Sequence, residues 1–384
     1  MRRINVGLLA LITVVACGQF AVAGSQFFPP KYYKVGPKNV LANSVITADF
    51  NNDGVLDLAV ADALSNRISI LLGKSDGTFG PPIIFAAPYP LAISAGDMNN
   101  DGNQDLVVAE YGGTGTSGVG VFLGDGTGHF REHATYQTGV ESFGLTVAKL
   151  QGGGNLGVAV ANRGNNGQGE SMMVFFGDGK GGLGKPTSYP FHLRHGGPTA
   201  VVAGDLTGAG TQDLALAVSP ASGVGSFVAV FLNDGTGKFM LSGKYPVTGL
   251  LIDIKLADLT GSGRLDIAVA GDQALDILLN KGGGKFRKSA TYPSCHQCGG
   301  PNTIVVADFD LDGIPDVACT GNFAQANSNG IFYGRGGGKF GTEVTIPNVD
   351  GGAGITSGNF DRNGSPDLAI SIGDNHVGVL LNKK

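Results

Sequence analysis

The chain has 384 residues, 66 of them glycine and none tryptophan, with 15% charged residues and a formal net charge of −5. That balance excludes a nucleic-acid surface, because no basic stripe is present to neutralise phosphates. A single core of this length ordinarily splits into domains, unless repeats let one domain grow.

The first residues carry Arg2 and Arg3, an apolar run over 6–16, and Ala21-Val22-Ala23 before Gly24. This is the layout of a secretory signal peptide, so the expected division is a signal over 1–23 and one domain over 24–384. A lipobox reading competes, since Val14-Val15-Ala16-Cys17 would be lipidated at Cys17, but the residues that follow stay apolar. No segment is long and apolar enough for a transmembrane helix.

From Ala48 the chain reads ADFNNDGVLDLAV, and the phrase returns from Gly96, Ala148, Gly204, Ala257, Ala307 and Gly358. Seven copies spaced by about 52 residues suit a four-stranded propeller blade. Within a copy, alternate oxygen-bearing side chains surround a glycine, a pattern that serves a calcium-sized cation, with a backbone carbonyl at the seventh position and the glycine permitting the sharp turn. An Asn-Asp-Gly hairpin turn without metal is the competing reading. Recurrence favours the cation, because several carboxylates in one loop repel each other unless one is bound.

The expected calcium ligands are Asp49, Asn51, Asp53, Val55 and Asp57 in the first loop and Asp97, Asn99, Asp101, Asn103 and Asp105 in the second. In the sixth they are Asp308, Asp310, Asp312, Ile314 and Asp316, the richest set, and in the seventh Asn359, Asp361, Asn363, Ser365 and Asp367. About four structural Ca2+ sites follow from this grading. The Asp205 and Asp258 loops have Thr207 with Ala209 and Thr260 with Ser262 in the middle positions, which makes them weak sites. Lys149, Gln151, Gly153 and Gly157 replace every carboxylate of the third, which is expected to be metal-free.

Between the loops lie short apolar third strands, then outer strands whose aromatic residues recur six apart: Phe79/Phe85, Phe130/Tyr136, Phe239/Tyr245 and Phe286/Tyr292, with Leu183/Tyr189 and Phe340/Ile346 as variants. An even spacing puts both members on one strand face, where they wedge between blades. The seventh copy stops after its third strand, and Phe27 and Tyr33 before the first copy have the same spacing. The N-terminal strand is therefore expected to close the last blade of an all-β, seven-bladed propeller.

These hairpins, the period, and Phe79-Gly80 or Phe340-Gly341 opening outer strands resemble the FG-GAP/VCBS repeats of secreted bacterial propellers and the integrin α-subunit head. The resemblance implies structural hairpin cations and partners bound elsewhere on the ring. Members act as lectin-like or adhesive modules, and some as lyases or hydrolases.

Loop lengths point the same way. The metal loops keep a constant length, whereas connections from outer strand to next blade vary, and variable loops acquire contacts. Candidate ligand residues on that opposite face are Tyr111, Arg163, His192, Arg194, His195 and Phe323, with Asn162, Asn165, Asn322 and Asn327 beside them. They suit a sugar or an acidic polymer, or equally an ordinary solvated loop face. His192, Arg194 and His195 have no carboxylate tied to them, and Asp374 with His376 is only a loop pair, so no catalytic constellation stands out. The expected function is an exported, monomeric binding or adhesion module for a glycan or protein partner; the alternative is a polysaccharide lyase or hydrolase on the same face. Cys295 and Cys298 are expected to form a local disulfide, leaving Cys319 buried and free.

Overall fold

The computed structural model describes residues 26–36, 42–111, 117–164, 169–193, 196–293, 303–321, 328–349, 351–372 and 375–384. Among them are 28 strands and no helix. They form seven four-stranded antiparallel sheets. In blade one the strands are Ala42–Ala48, Asp57–Asp62, Arg67–Leu71 and Ile83–Ala86, paired in chain order from the innermost outwards. The expected third strands are found within a residue or two of their positions, and blade six adds a short one, Gly330–Phe332.

The second strand of a blade explains the apolar runs. Asp57–Asp62 is buried throughout. Successive side chains alternate between its faces, so both faces of the sheet must be covered. Leu58 and Val60 pack with Val377 and Val379 of blade seven, while Ala59 and Ala61 pack with Leu106 and Val108 of blade two. The core is accordingly seven clusters, one at each blade seam. Each buried Leu, Ile or Val contributes about 1.5–3 kcal/mol to its seam.

The paired aromatics form a belt around these seams. The second member in one blade meets the first member of the next: Tyr33 lies 5.4 Å from Phe79, Phe85 5.5 Å from Phe130 and Tyr245 5.6 Å from Phe286. Where the second member is tyrosine its hydroxyl can also accept a backbone N–H across the seam. Leu183 donates to Tyr136 (2.9 Å), Phe239 to Tyr189 (3.2 Å) and Phe340 to Tyr292 (2.8 Å). Apolar area and a satisfied hydroxyl are thus used in one contact.

The belt closes through the N-terminal strand. Lys31–Lys34 is the outermost strand of the last blade, after His376–Leu380, Asp367–Ile372 and Gly352–Gly358. The register sets Lys31 opposite Val379 and Tyr33 opposite Val377. Phe28 N–H adds a bond to Leu381 O at 2.8 Å. A chain beginning at Val40 would lose this strand and the Tyr33–Phe79 contact. It should melt well below the parent and lose protection in His376–Leu380 by hydrogen exchange; equal melting temperatures would mean that the ring does not depend on this strand.

Candidate functional site

Each blade carries its repeat loop between the first and second strands. In the first copy Asp57 is fully buried and takes two backbone N–H groups, from Phe50 onto Oδ2 and from Gly73 onto Oδ1, both at 2.7 Å. One carboxylate therefore joins the start of the loop, the second strand and the end of the third strand. The same pair of bonds is made by Asp105, Asp213, Asp266, Asp316 and Asp367. In the third copy Gly157 stands there, and Leu150 N–H turns instead to Ala148 O at 2.9 Å. Burial pushes Asp57, Asp316 and Asp367 up to about 6, against the pull of their two N–H donors.

The outer part of the loop differs between copies. Asp308, Asp310 and Asp316 bring one carboxylate oxygen each within 4.8 Å of one another, the single such grouping among the described residues. Asp310 is raised by burial and by neighbouring Asp312. Asp312 itself accepts Ile314 N–H at 2.8 Å. In the seventh copy Asn359 Oδ1 is buried without a hydrogen-bond partner. An all-oxygen donor set with crowded carboxylates and an orphaned acceptor fits a hard divalent cation.

The weak copies satisfy themselves. Asp205 Oδ1 accepts N–H groups from Thr207, Gly208 and Ala209, and its Oδ2 accepts Gly210 N–H at 2.7 Å. Although burial raises Asp205, the donors of Gly210 and Gly208 outweigh it and hold the carboxyl below its usual value. Asp258 is treated alike by Thr260, Ser262 and Gly263.

The glycine expected to make the turn does so, with φ +76° at Gly54. A second left-handed residue, five before the buried aspartate that opens the second strand, was not legible: Asn52 has φ 59° and Asn100 φ 61°. Their side chains reach the next blade, Asn52 Nδ2 to Asn103 Oδ1 at 2.7 Å and Asn100 Nδ2 to Gly179 O at 3.2 Å. The turn between third and fourth strands lies on this same face, since Gly128 N–H donates to Phe50 O across the seam at 3.0 Å.

On the opposite face the structure assembles a ladder from four connections and the first residues of the strand Ser142–Ala148. Tyr111 lies 5.4 Å from Tyr89 and 6.5 Å from Phe143, and the Arg163 guanidinium sits 5.2 Å from the Phe143 ring centre. Tyr111 donates to Glu141 Oε1 at 3.4 Å, and Arg163 N–H donates to Glu141 O at 2.9 Å. Burial and the Glu141 carboxylate raise Tyr111. Tyr89 and Glu141 hold left-handed φ values of 37° and 56°, a conformation costing on the order of 1–2 kcal/mol for a side-chain-bearing residue. Of the residues expected on this face, Tyr111 and Arg163 come together at the Phe143 ring, whereas Tyr89, Glu141 and Phe143 were not among those expected, having no periodic signal.

His192 is exposed on its connection, with φ 52°. Arg194, His195, Phe323, Asn165, Asn322, Asn327, Asp374, Cys295 and Cys298 lie outside the described residues. Asn162 is not a surface group: it is fully buried, accepting Ser142 Oγ–H at 2.8 Å and donating to Ser171 Oγ at 3.2 Å. The expectation of a free Cys319 is corrected too, because Cys319 is disulfide-bonded, with its partner outside the described residues.

This is a seven-bladed propeller whose blades are built on one recurring acidic hairpin. The FG-GAP-like repeat model matches residues 49–108, 258–319 and 308–370, and the chain is an FG-GAP-repeat β-propeller. No curated protein matches it. Among solved structures it resembles BBS1N in complex with ARL6DN, at 12% identity over 94% of this chain and 98% of that one, with a TM-score of 0.60. It also resembles an Agrocybe aegerita lectin described as recognising non-reducing terminal N-acetylglucosamine, at 17% identity over 91% and 97%, with a TM-score of 0.54. A third is a functionally unknown protein from Desulfotomaculum acetoxidans DSM 771, at 12% identity over 88% and 90%, with a TM-score of 0.56. At these identities the likeness establishes the fold.

Beneath the ladder, Glu110 ends the second strand of blade two, 6% exposed, and its Oε1 has no hydrogen-bond partner. Burial, then repulsion from Glu132, raises it to about 7. A carboxyl raised in the folded state contributes stability that is complete below its unfolded value, near 4.5, and lost as pH rises through about 7. Glu110→Gln should therefore melt higher than the parent at pH 8 and no higher at pH 5. Identical differences at both pH values would show that this carboxyl does not titrate in that window.

Proposed function

We propose that this propeller is an exported binding module, stabilised by Ca2+ in its acidic hairpins, which docks a carbohydrate or envelope partner on the face opposite them. The ladder of Tyr89, Tyr111, Phe143 and Arg163 is the observation that carries the reading. Half-buried rings beside a carboxylate and a guanidinium offer an apolar platform with a few fixed polar groups, the usual make-up of a ligand site. Val140, exposed next to Glu141, lies beside it, its carbonyl accepting Gly164 N–H. Export is supported by the N-terminal sequence and by the disulfide at Cys319, since disulfides persist in oxidising compartments. Propellers of this shape hold a glycan in the Agrocybe aegerita case and a protein in the BBS1N case.

The cation would be held by the sixth loop first, through Asp308, Asp310, Asp312, Asp316 and the Ile314 carbonyl, then by the first, second and seventh. When bound it supplies positive charge that lets the crowded carboxylates stay ionised together. A ligand bound only by the folded state adds about 2.7 kcal/mol at a hundredfold excess over its Kd. Excess calcium should raise the melting temperature of the parent, Asp312→Ala should reduce that rise, and Lys149→Ala should leave it unchanged. A melting temperature indifferent to chelator would return the loops to plain hairpin turns.

The partner is sought by a glycan array on the calcium-loaded protein. Tyr111→Ala and Phe143→Ala should each weaken binding about tenfold or more while leaving the calcium response intact, in keeping with aromatic residues carrying binding energy. The Arg194→Ala/His195→Ala pair should act in the same direction. Binding that survives all of these but is lost on changing Asp101 would place the partner on the hairpin face instead.

A further inference from the structure

The sixth hairpin is set apart from the others by what rests on it. In the first two copies the carbonyl of the second loop residue receives an N–H from the turn of the following blade, Gly128 to Phe50 O and Gly181 to Met98 O, both at 3.0 Å. The corresponding carbonyl of the sixth loop, Phe309 O, is shared by the two segments that close the ring. Asn382 Nδ2 donates to it at 2.8 Å, as Asn233 and Asn280 do to Leu150 O and Leu206 O, and Gln26 Nε2 donates where the other loops take the turn N–H. The next carbonyl, Asp310 O, receives Lys384 Nζ. Gln26 is fixed in turn by Tyr333 Oη on its side-chain oxygen and by Lys383 N–H on its carbonyl at 2.9 Å. The Phe27 ring meets the Phe309 ring edge-on at 6.1 Å.

Thus the loop with the densest carboxylates is also the one that carries both halves of the closing seam. Its backbone carbonyls can present themselves to Gln26 and Asn382 only while the loop keeps its folded-in shape. That shape crowds Asp308, Asp310 and Asp316, whose mutual repulsion opposes it. We propose that the sixth hairpin is the latch of the ring, so that a divalent cation bound there favours docking of the N-terminal strand on blade seven, and its loss releases that strand ahead of the rest. The inference rests on the calcium reading above. Because the coupling is one free energy seen from two sites, closure must strengthen cation binding as much as the cation strengthens closure.

The test uses the full chain with calcium chloride alone. Hydrogen exchange is followed in Lys31–Lys34, the closing strand, and in Phe239–Pro246, the outer strand of blade four, with calcium and with chelator. Chelation should speed exchange in the closing strand about tenfold more than in the blade-four strand, as expected for a local opening below the global one. Asp310→Asn in calcium should reproduce that selective release, whereas Asp101→Asn in the second loop should not. Gln26→Ala, which leaves every carboxylate in place, should weaken the calorimetrically measured affinity of one calcium site several-fold. Calcium binding by the parent without selective release of the closing strand, or an affinity untouched by Gln26→Ala, overturns the latch and leaves the calcium reading standing. Absence of calcium binding by the parent overturns both.

Discussion

A buried carboxylate that captures two backbone N–H groups is the constraint on which this molecule is organised. Asp57 and its five counterparts sit where the first hairpin, the second strand and the end of the third strand meet. Leaving those donors unpaired in the interior would cost about 1–3 kcal/mol each. The geometry they impose fixes where the second strand begins, and with it which side chains face each neighbouring blade. Seam packing and the aromatic belt inherit that register.

The constraint also separates the two faces of the ring. On the hairpin side, side-chain and backbone bonds run from blade to blade, as in Asn52 to Asn103 and Gly128 to Phe50. Loops tied to both neighbours have little freedom to change length. On the other side Tyr89 and Glu141 hold unfavourable backbone angles within the ladder. Strain of that kind persists where the surroundings hold it in place, and it gathers at working sites.

Most of the architecture was legible because the repeat encodes it seven times over. The hairpin phrase located each blade, the even spacing within pairs such as Phe79/Phe85 and Phe130/Tyr136 located its outer strand, and the spare pair Phe27/Tyr33 located the closing strand. The site was legible only in part. Tyr111 and Arg163 stood out by residue type, but Tyr89 precedes the first strand of blade two and Phe143 lies in the first strand of blade three, and both reach Tyr111 only once those two blades are side by side. Asn162 misled because a polar residue after an apolar strand reads as solvated, whereas its amide is needed between two buried serines. Cys319 misled for a related reason: a cysteine on a buried apolar strand reads as a small free hydrophobe, whereas it is disulfide-bonded.

The seam at blade seven has a consequence for how the molecule is made. Lys31–Lys34 pairs with His376–Leu380, so a contact spanning nearly the whole chain is also among the last that folding can form. Such a topology has high contact order and folds slowly, with one outer edge of a sheet waiting for its partner. Six blades can assemble locally in the order they emerge, each against the one before it. The seventh needs a strand that was present from the beginning, and a circular permutant opened between two other blades would move that waiting time elsewhere in the ring without changing a single native contact of the sheets.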